Sequence, residues 1–551
     1  MRSLGLLQTV IVLSVASWSL YADVDLVRDG KPTADIVTGP NPGIAARWAA
    51  LDLQEHIEKI SGAMLDIVSA PSDMFKNHVY VGTSEETKKL NFKPAVFTNS
   101  GFEIVARDNC VILAGPDILR KASRFMGPDG LKLWHEFCGE PFNYGRGGEG
   151  MGAFNTGLQL FTNDDPGTWY AVAALLEQLG VRFYAPYDDG TVMPEKKTIA
   201  VAEQHLKKEA AFARREFCYY NAMRGDPEGI KWFKRIKLGN NNIIVYNHTT
   251  DDVFGPKAIK EKYPNFLACD ADGKPIGGFP AGHGMPRFTD PGFRKAAALY
   301  MNKCFEAVPE LTAMSMSPPD GGLKMDPRDW DLYGKPDDDM AQKNANYIWD
   351  FNVFLAKELK KAHPGKFLLY GSSGTGRGLP TNMEEFPDNM IVPFAQPYSA
   401  YRVLKSTDRQ VIADRQQWFE KMKVIRKCPI WDYYLYYNSP DRARFPVFFT
   451  EHLQEEMREM LPYSDGKFIE IQPGQYRVEG ENNPRSRLGV HGLIHLMVYW
   501  QGNLFWDPDM DRKAMLEEYY DLFFGPAKAE MKEFHEYAEQ VWCRQESRSV
   551  T

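Results

Sequence analysis

The chain has 551 residues, of which 44% are hydrophobic and 25% charged, and its formal net charge is −8. This length exceeds what one hydrophobic core normally holds, so we expect two or three domains of a globular protein. The acidic balance argues against a nucleic acid or an anionic membrane as a partner, because no basic field is present to attract phosphate groups.

Residues 1–22 have the features of a secretory signal peptide. Arg2 is the only charged residue there, an apolar run follows from Leu4 to Leu20, and Ala22 is a small residue that suits cleavage. An uncleaved membrane anchor is the alternative, but the run is shorter than the ~20 residues of a membrane span. We therefore expect a secreted, periplasmic or cell-surface protein that starts near Asp23 and has no membrane span in its mature chain.

Residues 23–202 are predicted to form a small α/β domain, because short apolar strands alternate there with amphipathic helices. The predicted elements are a helix Ile44–Ile60, strands Val79–Val81, Phe102–Val105 and Val111–Ala114, and a helix Thr168–Leu179. A long insertion interrupts them, and its segment Gly145–Gly150 matches the spacing Gly-x-Gly-x-x-Gly. No convincing strand precedes that segment and no helix opens from it, so we predict a loop and no nucleotide cofactor.

Residues 205–475 show the repeating strand–helix pattern of a (β/α)8 TIM barrel. The eight predicted strands are Glu216–Tyr220, Asn242–Tyr246, Gly284–Phe288, Ala313–Ser317, Phe367–Tyr370, Ile391–Phe394, Pro429–Tyr433 and Phe468–Ile471. An open α/β sheet is the alternative, since it has the same alternation. Residues 489–551 are predicted to be a helical C-terminal region, with helices at His491–Phe505, Arg512–Phe523 and Ala527–Trp542.

Active sites of such barrels lie at the C-terminal ends of the strands, which selects three carboxylates as catalytic candidates. Asp320 follows the fourth strand between two prolines and two glycines, a setting that a simple turn-forming Asp shares. Glu470 lies within the apolar eighth strand, where a carboxylate is costly unless it faces a polar cavity or an ion pair. Asp432 lies in the seventh strand. Glycoside hydrolysis generally needs two such groups, one to donate a proton and one to attack or activate water.

The same strand ends carry polar and aromatic side chains that suit a sugar ligand. The candidates for substrate binding are Asn247, His248, Gln396, Tyr398, Trp431, Tyr434 and Gln472. His248 fits a capping or core histidine equally well. We expect no metal and no other cofactor, because the chain has no His-x-His, His-Glu-x-x-His or Cys-x-x-Cys pattern. The seven cysteines are too sparse for a disulfide scaffold, and most are expected to be free thiols.

The first third of the chain resembles the small α/β domain that precedes the catalytic barrel in family 20 hexosaminidases and family 67 α-glucuronidases. The segments that carry this resemblance are Ala45–Ile57, Ile60–Gly62, Val79–Gly82, Gly101–Ile104 and Gly167–Tyr184. The resemblance implies sugar chemistry for the rest of the chain. Family 20 enzymes have an adjacent Asp-Glu pair at the fourth strand, whereas Pro319 precedes Asp320 here. The resemblance therefore does not imply the mechanism of family 20.

Nearly all of the mature chain resembles the bacterial domain-of-unknown-function family 4838. The segments that carry this second resemblance are Lys262–Pro264, Asp272–Lys274, Met316–Gly321, Ile430–Tyr434, Leu504–Asp509 and Tyr519–Pro526. That family overlaps glycoside hydrolase family 163, so the resemblance implies an endo-β-N-acetylglucosaminidase-like activity on a glycan.

Two functional hypotheses follow from these observations. The first is a secreted glycoside hydrolase that uses Asp320 with Glu470 as the leading partner and Asp432 as the reserve. The second is a non-catalytic glycan-binding protein that keeps the architecture of such an enzyme. Three carboxylates at strand ends favour the hydrolase, because a binding protein depends on aromatic side chains more than on carboxylates.

Overall fold

The computed structural model describes residues 23–119, 154–155, 157–161, 163–219, 227–240, 242, 244–245, 250, 262–276, 284–318, 325–335, 340–370, 378–396, 409–422, 426–436, 448–472 and 491–544. The predicted signal peptide at 1–22 and the predicted loop at 145–150 lie outside these residues. The described residues form one group of sheets before Ala210, a second group after it, and three helices at the C-terminal side.

The first group is an α/β arrangement built on a six-stranded sheet. The strands of the whole first group, which also includes smaller sheets, are β1 (Val24–Arg28), β2 (Lys31–Pro32), β3 (Ala34–Val37), β4 (Ile67–Val68), β5 (Asn77–Val81), β6 (Gly101–Arg107), β7 (Cys110–Ala114), β8 (Asp117–Ile118), β9 (Phe154–Asn155), β10 (Leu160–Phe161), β11 (Asp165–Pro166), β12 (Arg182–Phe183), β13 (Thr191–Val192), β14 (Ile199–Val201) and β15 (Gln204–Glu209). The order of the main sheet is β15-β6-β7-β5-β3-β4. Because β15 belongs to it, the boundary that best fits this sheet lies near Ala210 rather than at 202.

Helices α1 (Ile44–Ser61), α2 (Glu85–Lys89) and α3 (Gly167–Gln178) complete this group. The apolar positions of α1 recur at helical spacing, and Ala49, Leu53 and Ile57 are fully buried. Gly62 ends α1 in the left-handed conformation, and its N–H donates to the Glu58 carbonyl at 2.7 Å. The predicted small α/β arrangement is therefore present.

The second group consists mainly of parallel strands. Its strands are β16 (Arg214–Tyr219), β17 (Gly239–Asn240), β18 (Ile244–Val245), β19 (Ala313–Ser315), β20 (Phe367–Leu369), β21 (Met390–Ile391), β22 (Phe394–Gln396), β23 (Ile430–Tyr436) and β24 (Gly466–Gln472). Strands β16, β24, β23 and β22 are parallel neighbours in one sheet, and β18, β19, β20 and β21 are parallel neighbours in another. Only Val392 and Pro393 separate β21 from β22, so the chain passes directly from one sheet to the other.

The helices of this group are α4 (Pro227–Arg235), α5 (Pro291–Ala307), α6 (Trp330–Tyr333), α7 (Met340–Ala362), α8 (Arg409–Met422) and α9 (Thr450–Met460). They lie between the strands in the chain, as a barrel of strand–helix units requires. Seven of the eight predicted strands have a counterpart among the described elements. The result is a mixed α/β fold with eight described parallel strands, of which β21 and β22 together correspond to the sixth predicted strand.

The third predicted strand, Gly284–Phe288, is the exception. Ile244 of β18 pairs directly with Ala313 of β19, so the described residues place no strand between them. Residues 284–288 form a local arrangement instead, in which the Met285 N–H donates to the Ile276 carbonyl at 2.9 Å and the Met285 carbonyl accepts from the Ala268 N–H at 2.8 Å. The apolar alternation of this segment therefore reflects packing within the connection before α5 and not membership of the main sheets.

Three helices follow, as predicted: α10 (His491–Trp506), α11 (Arg512–Phe524) and α12 (Lys528–Arg544). Trp500 Nε1 donates to the Thr450 carbonyl and Trp506 Nε1 donates to the Lys237 carbonyl, each at 3.0 Å. These bonds dock α10 against both α9 and the segment before β17. Among the helices that the structure describes, none combines the length and apolarity needed to cross a membrane.

Buried ion pairs join the two groups of sheets. Arg215 of β16 contacts Asp165 of β11 at 2.6 Å, and neither side chain is exposed. Arg235 at the end of α4 contacts Asp52 of α1 at 2.7 Å. Asp52 also accepts from Trp169 Nε1 at 2.8 Å, so one carboxylate ties α1, α3 and α4 together. Because breaking a buried pair leaves an uncompensated charge, these contacts hold the two groups in a fixed relation.

Candidate functional site

The C-terminal ends of the parallel strands are the expected position of the site. Of the predicted site residues, Asp320, Asn247, His248 and Tyr398 lie outside the described residues. Gln396, Tyr434 and Gln472 lie in β22, β23 and β24, where the structure describes their backbone. Glu470, Asp432 and Trp431 are described with their side chains, and β23 and β24, which carry them, are paired neighbours.

Glu470 lies on the side of β24 that is turned away from the surrounding helices. Successive side chains of a strand point to opposite faces. Lys467 contacts Glu456 of helix α9 and Ile469 belongs to the main hydrophobic core, so these two face the helices. Phe468 lies on the other face, where its ring meets that of Trp431 at 4.7 Å. Glu470 is two residues after Phe468 and therefore lies on the same face of β24, where it is only 5% exposed.

A second carboxylate, Glu216, lies in β16, the strand that pairs with β24 on its other edge. Glu216 of β16 pairs with Phe468, and Cys218 pairs with Glu470, so Glu216 lies two residues before the partner of Glu470. Glu216 accepts from Arg214 Nη1 at 3.1 Å and from Asn240 Nδ2 at 2.9 Å. These bonds lie at the N-terminal end of the strands, which in barrels serves stability rather than catalysis.

Sequence reasoning did not select Glu216, although it too is a charged residue within an apolar strand. Asp465, just before β24, belongs to the same end of the sheet. Burial raises the pKa of Asp465, and the charges of Arg214 and Arg426 offset part of that increase. A cluster of buried charges therefore lies at the N-terminal end of β16 and β24, while Glu470 lies nearer the C-terminal end of β24.

Asp432 has a different environment from the one we expected for a catalytic group. Its carboxylate contacts Lys467 Nζ at 2.9 Å, and both side chains are fully buried on the helix-facing side of the sheet. Lys467 also contacts Glu456 at 2.8 Å, and Glu456 contacts Arg415 of α8 at 2.9 Å. This chain of buried opposite charges joins β23, β24, α8 and α9. These contacts account for a buried carboxylate at this position, and the catalytic role of Asp432 stays a prediction.

The chain segments on both sides of Asp320 are firmly anchored. Before it, the Ser317 carbonyl accepts from Thr250 Oγ1 at 2.8 Å. After it, Asp329 accepts from Arg287 Nη2 at 2.6 Å, from Thr289 Oγ1 at 2.5 Å and from Tyr347 OH at 3.1 Å. Asp329 has no exposed surface. These bonds connect the segment after β19 to α7 and to the connection that precedes α5.

The neighbouring carboxylate, Asp326, makes a second connection of the same kind. It is 1% exposed and accepts from the Cys269 N–H at 2.8 Å. Arg328 donates to Asp326 and also to the Leu267 carbonyl. Two buried carboxylates thus hold residues 325–329 against residues 267–269 and 287–289.

The described residues contain no group of three or more His, Cys, Asp or Glu side chains that is arranged to hold a metal ion. The cysteines whose side chains are described, at positions 110, 269, 304, 428 and 543, are free thiols. Burial raises the pKa of Cys304 to about 12, so this thiol stays protonated at neutral pH. The expectation of mostly free thiols holds for these five residues.

The fold is that of a glycosidase-like scaffold. A family GH115 4-O-methyl-α-glucuronidase with specificity for decorated arabinogalactans aligns with a TM-score of 0.53 and 10% identity, covering 94% of this chain and 62% of that chain. A GH20 β-N-acetylhexosaminidase from Streptomyces coelicolor A3(2) aligns with a TM-score of 0.44 and 11% identity, covering 96% and 95%. The chain thus spans less than two thirds of the length of the GH115 protein, and at 10% identity the likeness is one of fold.

Residues 185–536 match the model of the family described as "Domain of unknown function (DUF4838)". The match covers more than half of the chain, and the protein belongs to this family. The resemblance inferred from the sequence motifs is therefore confirmed. No protein with curated annotation matches the chain significantly.

Proposed function

We propose that this protein is an exported glycoside hydrolase that binds a glycan at the C-terminal ends of its parallel strands. The observation that carries the proposal is the position of Glu470, a carboxylate that is 5% exposed on the side of β24 facing away from the helices. The Trp431–Phe468 ring pair occupies the same side. Carboxylates beside aromatic rings are what glycosidases use to bind and cleave sugars.

In this proposal Glu470 and Asp320 share the catalytic work. One protonates the leaving oxygen, and the other attacks, activates water or orients a substrate acetamide. Asp432 is left out of the reaction because Lys467 and the helix-facing side of the sheet account for its position. The family resemblance supports a substrate that contains N-acetylglucosamine, cleaved in an endo-β-N-acetylglucosaminidase-like manner.

The proposal includes the architecture that brings these groups together. We take the eight parallel strands to be parts of a (β/α)8-type barrel over about residues 205–475, in which residues 284–288 do not form the third strand that was expected. The small α/β domain precedes it and the helical region 489–551 follows it. The alternation of parallel strands with helices supports this assignment.

Two substitutions test the proposal on the purified mature chain. Glu470→Gln and Asp320→Asn remove a charge with little change of volume, so each should lower turnover on a sensitive glycan by roughly 10²–10⁴-fold. The melting temperature should change little. Glu455→Gln on α9 is the control, because that side chain is 53% exposed and lies on the outer surface.

The outcomes separate the hydrolase from the non-catalytic glycan-binding protein. Glycan binding with no hydrolysis by the wild-type chain supports the binding protein. Full activity of Glu470→Gln removes Glu470 from the mechanism, and full activity of Asp320→Asn does the same for Asp320. Loss of activity with loss of folding points instead to a structural role for the substituted residue.

A further inference from the structure

A single turn of 3₁₀-helix, Pro264–Phe266, stacks two aromatic rings at the start of the connection 262–290. Phe266 N–H donates to the Tyr263 carbonyl at 3.0 Å. Side chains three residues apart come close to each other across such a turn, which brings Tyr263, the residue before the helix, next to Phe266. Their ring centroids are 4.8 Å apart and their planes differ by 8°.

The Phe266 ring packs against a buried neighbour, whereas the Tyr263 ring is partly exposed to solvent. Phe266 packs edge-on against Phe293 at 6.0 Å, and Phe293 is fully buried near the start of α5. Tyr263 is 36% exposed. Tyr537 on α12 is even more exposed, at 65%, but it has no ring contact among the described residues. Tyr263 is therefore a partly exposed aromatic ring that a buried aromatic neighbourhood supports.

Two exposed polar residues, Lys262 and Asn265, belong to the same turn as this ring. Lys262 is exposed, and its Nζ lies over the Tyr263 ring, 5.3 Å from the ring centroid. Asn265, in the middle of the turn, is also exposed and brings an amide that can donate and accept hydrogen bonds. A flat ring, an amide in the same turn and an exposed ammonium group that can move off the ring face suit a sugar with a negative charge, because the ring packs against C–H groups while the ammonium pairs with the anion.

The turn lies at the end of the fold where the proposed active site is located. It belongs to the connection between β18 and α5, and such connections cross the C-terminal face of the strands. Asp326, which follows β19 in the chain, accepts from the Cys269 N–H at 2.8 Å. Asp329 accepts from Arg287 and Thr289 of the same connection. The turn is thus held to the segment that leaves β19.

We propose that Tyr263, Lys262 and Asn265 form a carbohydrate-binding platform for an anionic glycan at the rim of the strand ends. A sugar ring stacks on Tyr263, its carboxylate or sulfate pairs with Lys262, and a hydroxyl bonds to Asn265. The platform rests on the proposed function, since it takes the ligand to be a glycan, and it names the charge of that glycan. It binds the polymer away from the carboxylates that perform the cleavage.

The test measures binding separately from hydrolysis. The purified mature chain is run in native gels that contain polygalacturonate or neutral galactan, and retardation gives the apparent Kd. Tyr263→Ala should weaken binding to polygalacturonate about tenfold, the loss of one stacked ring. Lys262→Gln should weaken binding to polygalacturonate and leave any binding to galactan unchanged. Tyr537→Ala and Lys274→Gln are the matched controls and should behave as wild type, because both side chains are exposed elsewhere.

The outcomes distinguish the platform from the proposed function. Loss of binding in Tyr263→Ala, in a chain that hydrolyses no glycan, supports the platform and refutes the hydrolase. Hydrolysis by the wild-type chain, with unchanged binding and KM in Tyr263→Ala, refutes the platform alone. The platform is also overturned if the wild-type chain is not retarded by polygalacturonate, or if Tyr537→Ala weakens binding as much as Tyr263→Ala.

Discussion

Lys467 Nζ lies 2.9 Å from the Asp432 carboxylate, and neither side chain has any exposed surface. Glu456 and Arg415 extend the pair into a buried chain of alternating charges between the sheet and helices α8 and α9. Such a chain is costly to desolvate, and its members stabilise the fold only while each charge keeps its partners. The pair therefore explains how a buried carboxylate is accommodated in β23.

We predict that Asp432→Asn affects stability more than chemistry. The substitution leaves Lys467 partly uncompensated in a buried site, so unfolding by urea should show a loss of about 3 kcal/mol. Turnover measured where the variant is still folded should stay close to wild type. Asp331→Asn, an exposed residue of α6, is the control and should change stability by less than about 0.5 kcal/mol. A large loss of turnover with unchanged stability would return Asp432 to the catalytic candidates.

Asp432 and Glu470 differ in their surroundings in a way that the local sequence does not reveal. Both were recognisable as carboxylates within apolar strands, but parallel strands in such folds are buried on both faces, so no alternation of polar residues reveals the inner face. A shift of one residue in register exchanges the faces. Lys467, the partner that accounts for Asp432, lies 35 positions further along the chain, and nothing local in the sequence links the two.

The predicted third strand was wrong for a related reason. Met285 and Phe288 are fully or almost fully buried apolar residues, as a strand would have them. Their segment, however, bonds to Ala268 and Ile276 within its own connection. The other strand positions, and the three C-terminal helices, followed from apolar runs whose length and periodicity leave few alternatives. Periodicity reports burial but does not identify the neighbouring chain segment.

We predict that acid unfolds the chain partly through Asp52. Burial alone would raise the pKa of Asp52, but Arg235 and His56 nearby, with hydrogen bonds from Arg235 and Trp169, outweigh it and lower the pKa to about 2. The carboxylate has a pKa of about 3.9 in the unfolded chain. Asp52 therefore contributes about 2 kcal/mol of stability above pH 4, and this contribution is lost as the pH falls from 4 to 2.

The measurement is the free energy of unfolding as a function of pH for wild type and Asp52→Asn. The variant should be less stable at neutral pH, and its stability should depend less on pH between 4 and 2. Asp272→Asn in an exposed turn serves as the control and should follow the wild-type curve. Parallel curves for wild type and Asp52→Asn would contradict the assignment.

We predict a large difference between two glycine substitutions. Gly466 begins β24 with a φ of +130°, and a Cβ there would lie 1.9 Å from the carbonyl oxygen of Arg214 on the paired strand β16. Gly365 has a φ of +85° but nothing within 4 Å of its Cβ position. Gly466→Ala should prevent stable folding, whereas Gly365→Ala should cost about 1 kcal/mol from backbone strain alone. Thermal unfolding followed by circular dichroism measures both, and equal effects would contradict the clash.

We predict that limited trypsin digestion of the native chain does not separate the first α/β domain from the rest. Lys207 and Lys208 are exposed, but they lie in β15, whose register with β6 runs from Gln204 to Glu209. Cleavage requires a locally extended and unpaired backbone, and opening β15 would also strain the buried contacts of Asp165 with Arg215 and of Asp52 with Arg235. The first cut should fall within residues 145–152, a Gly-rich stretch that contains Arg146. Mass spectrometry of the early fragments identifies the site, and size-exclusion chromatography should show that the fragments stay together. Early cleavage after Lys207 or Lys208 with release of the first domain would show that the two groups of sheets are independent.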